Sequence, residues 1–276
     1  MHMRLSDLLE LKVKLLSKRL VRLAGLASLL PALSVAAPIT LTGTVRDFNS
    51  SNTSFNGVAG HPDFESYLGD DRGIVMTQLG ADGKPVYESA NANPTITSAA
   101  SFYQWYHDDP NVNRTGAISI TLNPITATTY QFSSNAFFPI NGQLLGQNTL
   151  GRNFGFTTEF HTQFTYLAAN NDLFSFSGDD DVFVFVNGVL AIDLGGVHPA
   201  ESRSINLNTF AAANGLLNGQ NYTLDVFQAE RHTSGSNFEM TTSLQLLTAS
   251  NGVPEPGSIG MTGLALLGLA ASRRGR

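Results

Sequence analysis

The sequence predicts an all-β protein, a β-sandwich or jelly roll of antiparallel strands with at most one or two short helices. Three observations lead there. Short segments of alternating apolar and polar residues recur along the chain, separated by turns rich in glycine and asparagine, which is the rhythm of a sandwich or barrel. Charged residues, several of them good helix formers, make up only 14% of the chain, so long amphipathic helices have little to be built from. One apolar pair of runs, 182–186 and 189–194, flanks Asn187-Gly188, and both turn residues tolerate the positive φ of a type I′ hairpin.

In chain order, residues 1–36 read as a secretory signal peptide. Six basic residues precede Leu23, an apolar stretch follows at 23–35, and Ser34-Val35-Ala36 places small residues where a signal peptidase cleaves, after Ala36. The alternative is an amphipathic basic helix, since Leu5, Leu8, Leu9, Leu15, Leu16 and Leu20 partly fit helical spacing. The body, 37–250, opens with the alternating segment 39–48 (ITLTGTVRDF), a strand. A polar loop follows, and then a strand at 73–79. The acidic pair Asp70-Asp71 just before it reads as a solvated turn rather than a ligand. Residues 99–106 (AASFYQWY) suit one short helix, with Trp105, the only tryptophan, in the core rather than exposed as a sugar platform. Strands are expected at 116–122 and 128–133, and one or two more in the aromatic-rich segment 153–168. After 174–194 come a strand at 221–229 and a last one at 240–247.

The final segment, 251–276, differs from the rest. Val253-Pro254-Glu255-Pro256-Gly257 is extended, 14 apolar or small residues follow, and Arg273, Arg274 and Arg276 close the chain. Fourteen helical residues span about 21 Å, short of the roughly 30 Å hydrocarbon core. That suits a processed segment that meets the membrane only transiently. The formal charge is −6, but residues 37–251 hold seven basic residues against 19 acidic, a net of −12. Such a body excludes nucleic acid, whose binding needs basic surface. There is no cysteine, hence no disulfide and no thiolate site.

The stretch 174–198 carries the chemistry. Phe174 and Phe176 alternate with Ser175 and Ser177, Gly178 breaks the strand, and Asp179, Asp180 and Asp181 follow before the apolar run. Three adjacent carboxylates repel one another unless a positive charge neutralises them, and a hard cation such as Ca²⁺ does so through oxygen ligands. The competing reading is a solvated loop tip. The triplet Glu230-Arg231-His232 suggests a salt bridge from Arg231 to a carboxylate of this cluster. His198 and His232 both end strands and can meet, though without a helical His pair or a cysteine no zinc site is expected.

Two resemblances add to this. VPEPGSIGMTGLALLGLAASRRGR resembles the PEP-CTERM sorting signal of Gram-negative bacteria. That implies exosortase processing at Pro254, Glu255 and Pro256 and delivery to the cell surface or extracellular matrix. The body resembles the fibro-slime domain through GTVRDF, HPDF, FYQWY, FFPINGQ, NFGFTTEF, GDDDVFVFVNG, IDLGGVH and FQAERH, in that order. That domain is related to the β-sandwich of protective antigen and flocculin-type adhesins. In those lectins an Asp-Asp pair, often joined by a cis peptide, holds Ca²⁺, and the ion contacts sugar hydroxyls. The resemblance implies that Asp179 and Asp180 are that pair and Asn187-Gly188 the following turn. Asp181 stands where the lectins usually have glycine and is an extra ligand or an obstacle to sugar. Asn187, Asp193 and Asn237 are further candidate ligands.

The expected function is Ca²⁺-dependent binding of glycan or exopolysaccharide by a surface adhesion protein, exported with signal peptidase and exosortase as transient partners. The alternative is a structural matrix protein whose metal only locks a loop. A glycoside hydrolase using two of Glu159, Asp181 and Glu230 is a third reading. Nothing in the sequence supplies a G-x-S-x-G, HExxH or phosphate-loop motif to support an enzyme.

Overall fold

The computed structural model describes residues 36–51, 53–146 and 151–247. The segment expected to be a signal peptide, apart from Ala36, and the Pro254-Glu255-Pro256 tail lie outside the described residues. The strands are β1 (Ile39–Phe48), β2 (Gly69–Asp70), β3 (Asn113–Pro124), β4 (Tyr130–Ser134), β5 (Phe156–Thr165), β6 (Leu173–Gly178), β7 (Asp181–Val186), β8 (Val189–Leu194), β9 (Gly196–Val197), β10 (Glu201–Asn206), β11 (Asn221–Glu230), β12 (Phe238–Thr242) and β13 (Gln245–Leu247). Two α-helices accompany them, α1 (Ala99–Tyr103) and α2 (Leu207–Asn214).

Eleven strands follow one antiparallel path, β10-β6-β12-β4-β3-β1-β5-β11-β7-β8 with β13 added to β5, and β2 and β9 pair in a separate two-stranded sheet. The path folds into two layers. The front layer is β3-β1-β5-β11-β7-β8 and the back layer is β4-β12-β6-β10. They join where Asn123 and Pro124 at the end of β3 pair with Gln131 and Tyr130. Phe160, Val184 and Val226 of the front face Phe176, Phe238 and Met240 of the back, forming the main core, and the rings of Phe160 and Phe238 meet edge to face at 6.0 Å.

A second core covers the outer side of the front layer. Phe183, Phe185 and Phe227 pack there against Phe64, Phe102, Trp105 and Tyr106, which come from the segment between β1 and β3. Strand β7 is therefore buried on both faces, as its continuous apolar run requires. Burial alone does not fix its register, because a slip by one residue would exchange valines for phenylalanines on apolar surroundings. The turn at its far end does. Asn187 and Gly188 adopt φ of 52° and 75°, and Val186 pairs with Val189.

Three elements depart from expectation. Residues 73–79 form no strand but only isolated bridges, Val75 to Tyr87 and Gln78 to Val189. Ile74 and Val75 fill the second core instead, so their apolar character serves packing without a ladder. Helix α2 was not expected, although Asn206 caps it by accepting from the Thr209 N–H at 3.0 Å and Gly215 ends it at a φ of 72°. The last strand is two. Ser243 and Leu244 carry the chain from the back layer, where β12 pairs with β4 and β6, to the front, where β13 pairs with β5. Ser243 Oγ holds that crossing at Asp172 Oδ1, 2.9 Å away.

Candidate functional site

The acidic turn is the point where the chain crosses between the layers. β6 ends at Gly178 in the back layer and β7 starts at Asp181 in the front, so Asp179-Asp180 spans the end of the sandwich. The peptide between them is cis. Gly178 is required: a Cβ there would lie 2.7 Å from the Phe176 ring and 2.9 Å from the Asn237 carbonyl oxygen. Asp179, Asp180 and Asp181 are 4%, 5% and 0% exposed, so the turn is no solvated loop tip.

Each carboxylate has a different environment. Asp179 accepts from the backbone N–H of Asn237 and from Asn237 Nδ2, the latter at 2.8 Å. Asp180 Oδ2 accepts from the Arg231 backbone N–H at 2.9 Å. Asp181 is held by Arg231, whose Nε donates to Oδ2 at 2.6 Å and whose Nη2 donates to Oδ1 at 3.0 Å, while Gly196 N–H donates to Oδ1 at 2.6 Å. The expected salt bridge is there, and it claims the carboxylate expected to serve as an extra ligand. Both oxygens of Asp181 are taken, and its side chain does not line the cavity in front of the pair.

Arg231 is wholly buried. It also donates to the Thr95 carbonyl at 2.8 Å and to Thr95 Oγ1 at 3.1 Å, and lies 4.7 Å from the Trp105 ring centre. Trp105 in turn donates to Asp63 Oδ2 at 3.1 Å. Glu230, its neighbour, has no such partner. It is 1% exposed, and its Oε2 receives no hydrogen bond. Burial first, then the nearby Asp180 and Asp179, pushes its pKa well above the usual carboxylate range. Burial and then Asp181 push Asp180 up as well. Asp179, Asp180 and Glu230 therefore lie near one another, and the guanidinium next to Asp180 is spent on Asp181. A donor set made of oxygens, with more negative charge than the protein neutralises, is the environment a hard cation takes.

Asp179, Asp180 and Asn237 form one side of a cavity of about 630 Å³, and Asp70, His198 and His232 lie along the rest of its wall. Of the further candidates, Asn237 is therefore in place. Asn187 sits on the hairpin turn at the opposite end of β7. Asp193 is structural, accepting from the N–H groups of Gly73 at 2.7 Å and Gly195 at 2.9 Å. The two histidines share the cavity wall, but each has its own partners, His198 the Pro199 carbonyl and Arg72, and His232 Glu65. The pair Asp70-Asp71 divides: Asp71 is buried, accepting from the N–H and Oγ1 of Thr95, while Asp70 reaches the cavity. Pairing of β2 with β9 brings it there, and two-residue strands so far apart in sequence leave no local signal. Glu230 was legible as a member of the triplet and as a candidate hydrolase carboxylate, not as part of the acidic turn.

A second polar cluster lies on the outer side of β5. Glu159 accepts from Lys84 Nζ at 2.6 Å on both oxygens, and Arg46 Nη1 lies 3.3 Å away. Burial would raise its pKa, but the bonds from His161, Lys84 and Arg46 hold it down to about 2. His161 Nδ1 donates to Asp225 Oδ1 at 2.8 Å from the directly opposite position on β11, and Asp225 followed by Glu159 raises His161 to about 9. A raised folded-state pKa stabilises fully below the unfolded value of about 6.5 and is lost as pH rises through the folded one. Stability is therefore expected to fall between about pH 6.5 and pH 9 in wild type, and less in His161→Gln. Parallel urea titrations across that range check this, and identical pH slopes would refute it. Of the three candidate hydrolase carboxylates, Glu159 and Asp181 are each committed to cations.

Comparison with known proteins adds lineage. Residues 151–257 match the PA14 domain and residues 252–274 the PEP-CTERM protein-sorting motif. The chain is 38% identical over 221 residues to protein psiD of Dictyostelium discoideum, covering 75% of this chain and 41% of psiD. It is 37% identical over 202 residues to psiR of the same organism, covering 67% of this chain and 20% of psiR. The chain thus spans about two fifths or less of these relatives. Among solved structures, the PA14 sugar-binding domain from an RTX adhesin superposes with a TM-score of 0.28 at 10% identity, over 66% of this chain and 96% of that one.

Proposed function

The chain carries a PA14 domain followed by a PEP-CTERM protein-sorting motif, and from that premise we propose that it is a surface protein that binds glycan or extracellular polysaccharide through Ca²⁺. The sorting motif marks it for export and for a place at the cell surface or outside the cell. In this reading residues 1–36 are removed by signal peptidase, 37–250 fold as the binding domain, and 251–276 are the segment an exosortase processes. It is a binding protein rather than an enzyme.

One observation carries the proposal. Asp179 and Asp180 are buried in the wall of a cavity, Glu230 is buried near them, Arg231 is committed to Asp181, and Glu230 Oε2 receives no hydrogen bond. Burying uncompensated charge is costly, so the arrangement makes sense as the protein half of a cation site. Asp179 and Asp180 would hold the ion, with Glu230 adding negative charge behind them and Asn237 fixing Asp179. Arg231 and Gly196 keep Asp181 from competing. When bound, Ca²⁺ supplies positive charge and coordination positions that sugar hydroxyls fill.

Calorimetric titration of Ca²⁺ into the full chain, stripped of metal, is expected to show binding that Asp179→Ala/Asp180→Ala abolishes. Glycan-array binding is expected with Ca²⁺ and not with EDTA. No Ca²⁺ binding sinks the metal reading. Ca²⁺ binding without any glycan leaves a structural matrix protein. For the tail, deletion of residues 253–276 is expected to change where the protein ends up in its native host, read by fractionation and immunoblot. Unaltered surface retention would contradict the sorting reading.

A further inference from the structure

The cavity has a second acidic end. Asp70, His198 and Glu201 each offer one ligand atom, and these atoms lie within 4.8 Å of one another. Two of the three have partners. Arg72 Nη2 donates to Glu201 Oε2 at 2.6 Å, while its Nη1 lies 3.1 Å from His198 Nε2 and donates to the Gly195 carbonyl at 2.7 Å. His198 Nδ1 is 2.8 Å from the Pro199 carbonyl. Asp70 is exposed and receives neither a hydrogen bond nor an ion pair from any described residue. No lysine or arginine lines the cavity, and His232, its other basic group, faces Glu65 at 3.7 Å.

The same wall is partly apolar. Leu68, 72% exposed, belongs to it with Val197, Pro199 and Ala200. A ligand in this cavity meets the oxygen donors Asp179 and Asp180, apolar carbon and the free carboxylate of Asp70 on one wall. The volume of about 630 Å³ fits one or two sugar rings. A uronate or sulfated sugar would bring its anion to Asp70 with no lysine or arginine on the wall to receive it. A neutral sugar would leave Asp70 without a counter-charge. A protonated amine supplies a charge-assisted hydrogen bond to it.

We propose that this cavity selects an amino sugar with a free ammonium group, its hydroxyls toward Asp179 and Asp180 and its ammonium on Asp70. The proposal rests on the metal and glycan reading above and names its ligand class.

Matched sugars test it. Glucosamine, galactosamine and mannosamine are each compared with their N-acetyl and 2-hydroxy counterparts by ligand-observed NMR titration. The full chain is used in Ca²⁺, at mildly acidic pH where the amines are protonated. At least one free amine is expected to bind about tenfold tighter than both counterparts. Asp70→Asn, which keeps the shape, is expected to erase the preference for the free amine. A preference that survives in Asp70→Asn, or in EDTA, is unspecific attraction to an acidic surface and overturns the proposal. Hydroxyl sugars binding in Ca²⁺ as well as the amines overturns it alone. Failure of every sugar overturns it together with the glycan reading.

Discussion

Arg231→Met is expected to lower the unfolding free energy by about 3–5 kcal/mol, read from urea denaturation. The reason is what it leaves behind. Arg231 and Asp181 are both completely buried, and the guanidinium meets the carboxylate through two nitrogens at 2.6 and 3.0 Å. Deleting the cation strands Asp181 as a fourth uncompensated carboxylate beside Asp180 and Glu230. The Thr95 carbonyl and Oγ1 lose their donors as well. Arg231→Lys is expected to recover only part of the loss. A lysine restores charge, but not the fork that serves Asp181 and Thr95 together, nor the flat face over Trp105. The informative control is Arg231→Met/Asp181→Leu, which removes both charges. It is expected to be well above the single variant, because replacing a buried pair with apolar groups costs far less than breaking it. If Arg231→Met melts within about 1 kcal/mol of wild type, the pair carries no such weight.

This pair shows where the sequence was informative. Local signals were readable because they rest on adjacent residues. Asn187-Gly188 announces its turn through the φ both residues must adopt, and the unbroken run 182–186 announces a strand covered on both faces. Those two features, with the alternation in 39–48 and 221–229, contain most of the architecture. The salt bridge to the acidic cluster was legible too, since a basic residue at the end of an apolar strand needs a counter-charge. What stayed hidden depends on distant residues meeting. Nothing near Asp70 indicates that its strand pairs with Gly196-Val197, so it read as a solvated turn. Asp181 looked like its two neighbours, and only the fold shows that the alternation of β7 turns it toward Arg231 and away from the cavity. The segment 73–79 carried strand-like composition because the second core needs apolar residues, and packing alone satisfied that need. The crossing at Ser243-Leu244 is similar: no glycine or proline interrupts residues 240–247, and the change of layer is decided by partners on β5 and β6.

The second large effect is linkage between Ca²⁺ and stability. With Ca²⁺ at about a hundredfold over its dissociation constant, the folded state is expected to gain about 2.7 kcal/mol. For a domain of this size that raises the thermal midpoint by about 5–10 °C, and EDTA returns it. The direction follows from the charges. In metal-free protein burial and mutual repulsion push Asp180 and Glu230 toward the protonated form, and a bound cation removes the cost of ionising them. Asp179→Ala/Asp180→Ala should therefore melt at one temperature with and without Ca²⁺, well below Ca²⁺-loaded wild type. Glu230→Gln separates the electrostatic argument from simple loss of ligands. It keeps the shape of a buried side chain while removing one charge, so it should stabilise the metal-free protein and shrink the Ca²⁺-induced shift. A Glu230→Gln variant destabilised in EDTA would mean that the buried carboxylate is satisfied in the folded state, and the acidic turn would then lose its reason to hold a cation.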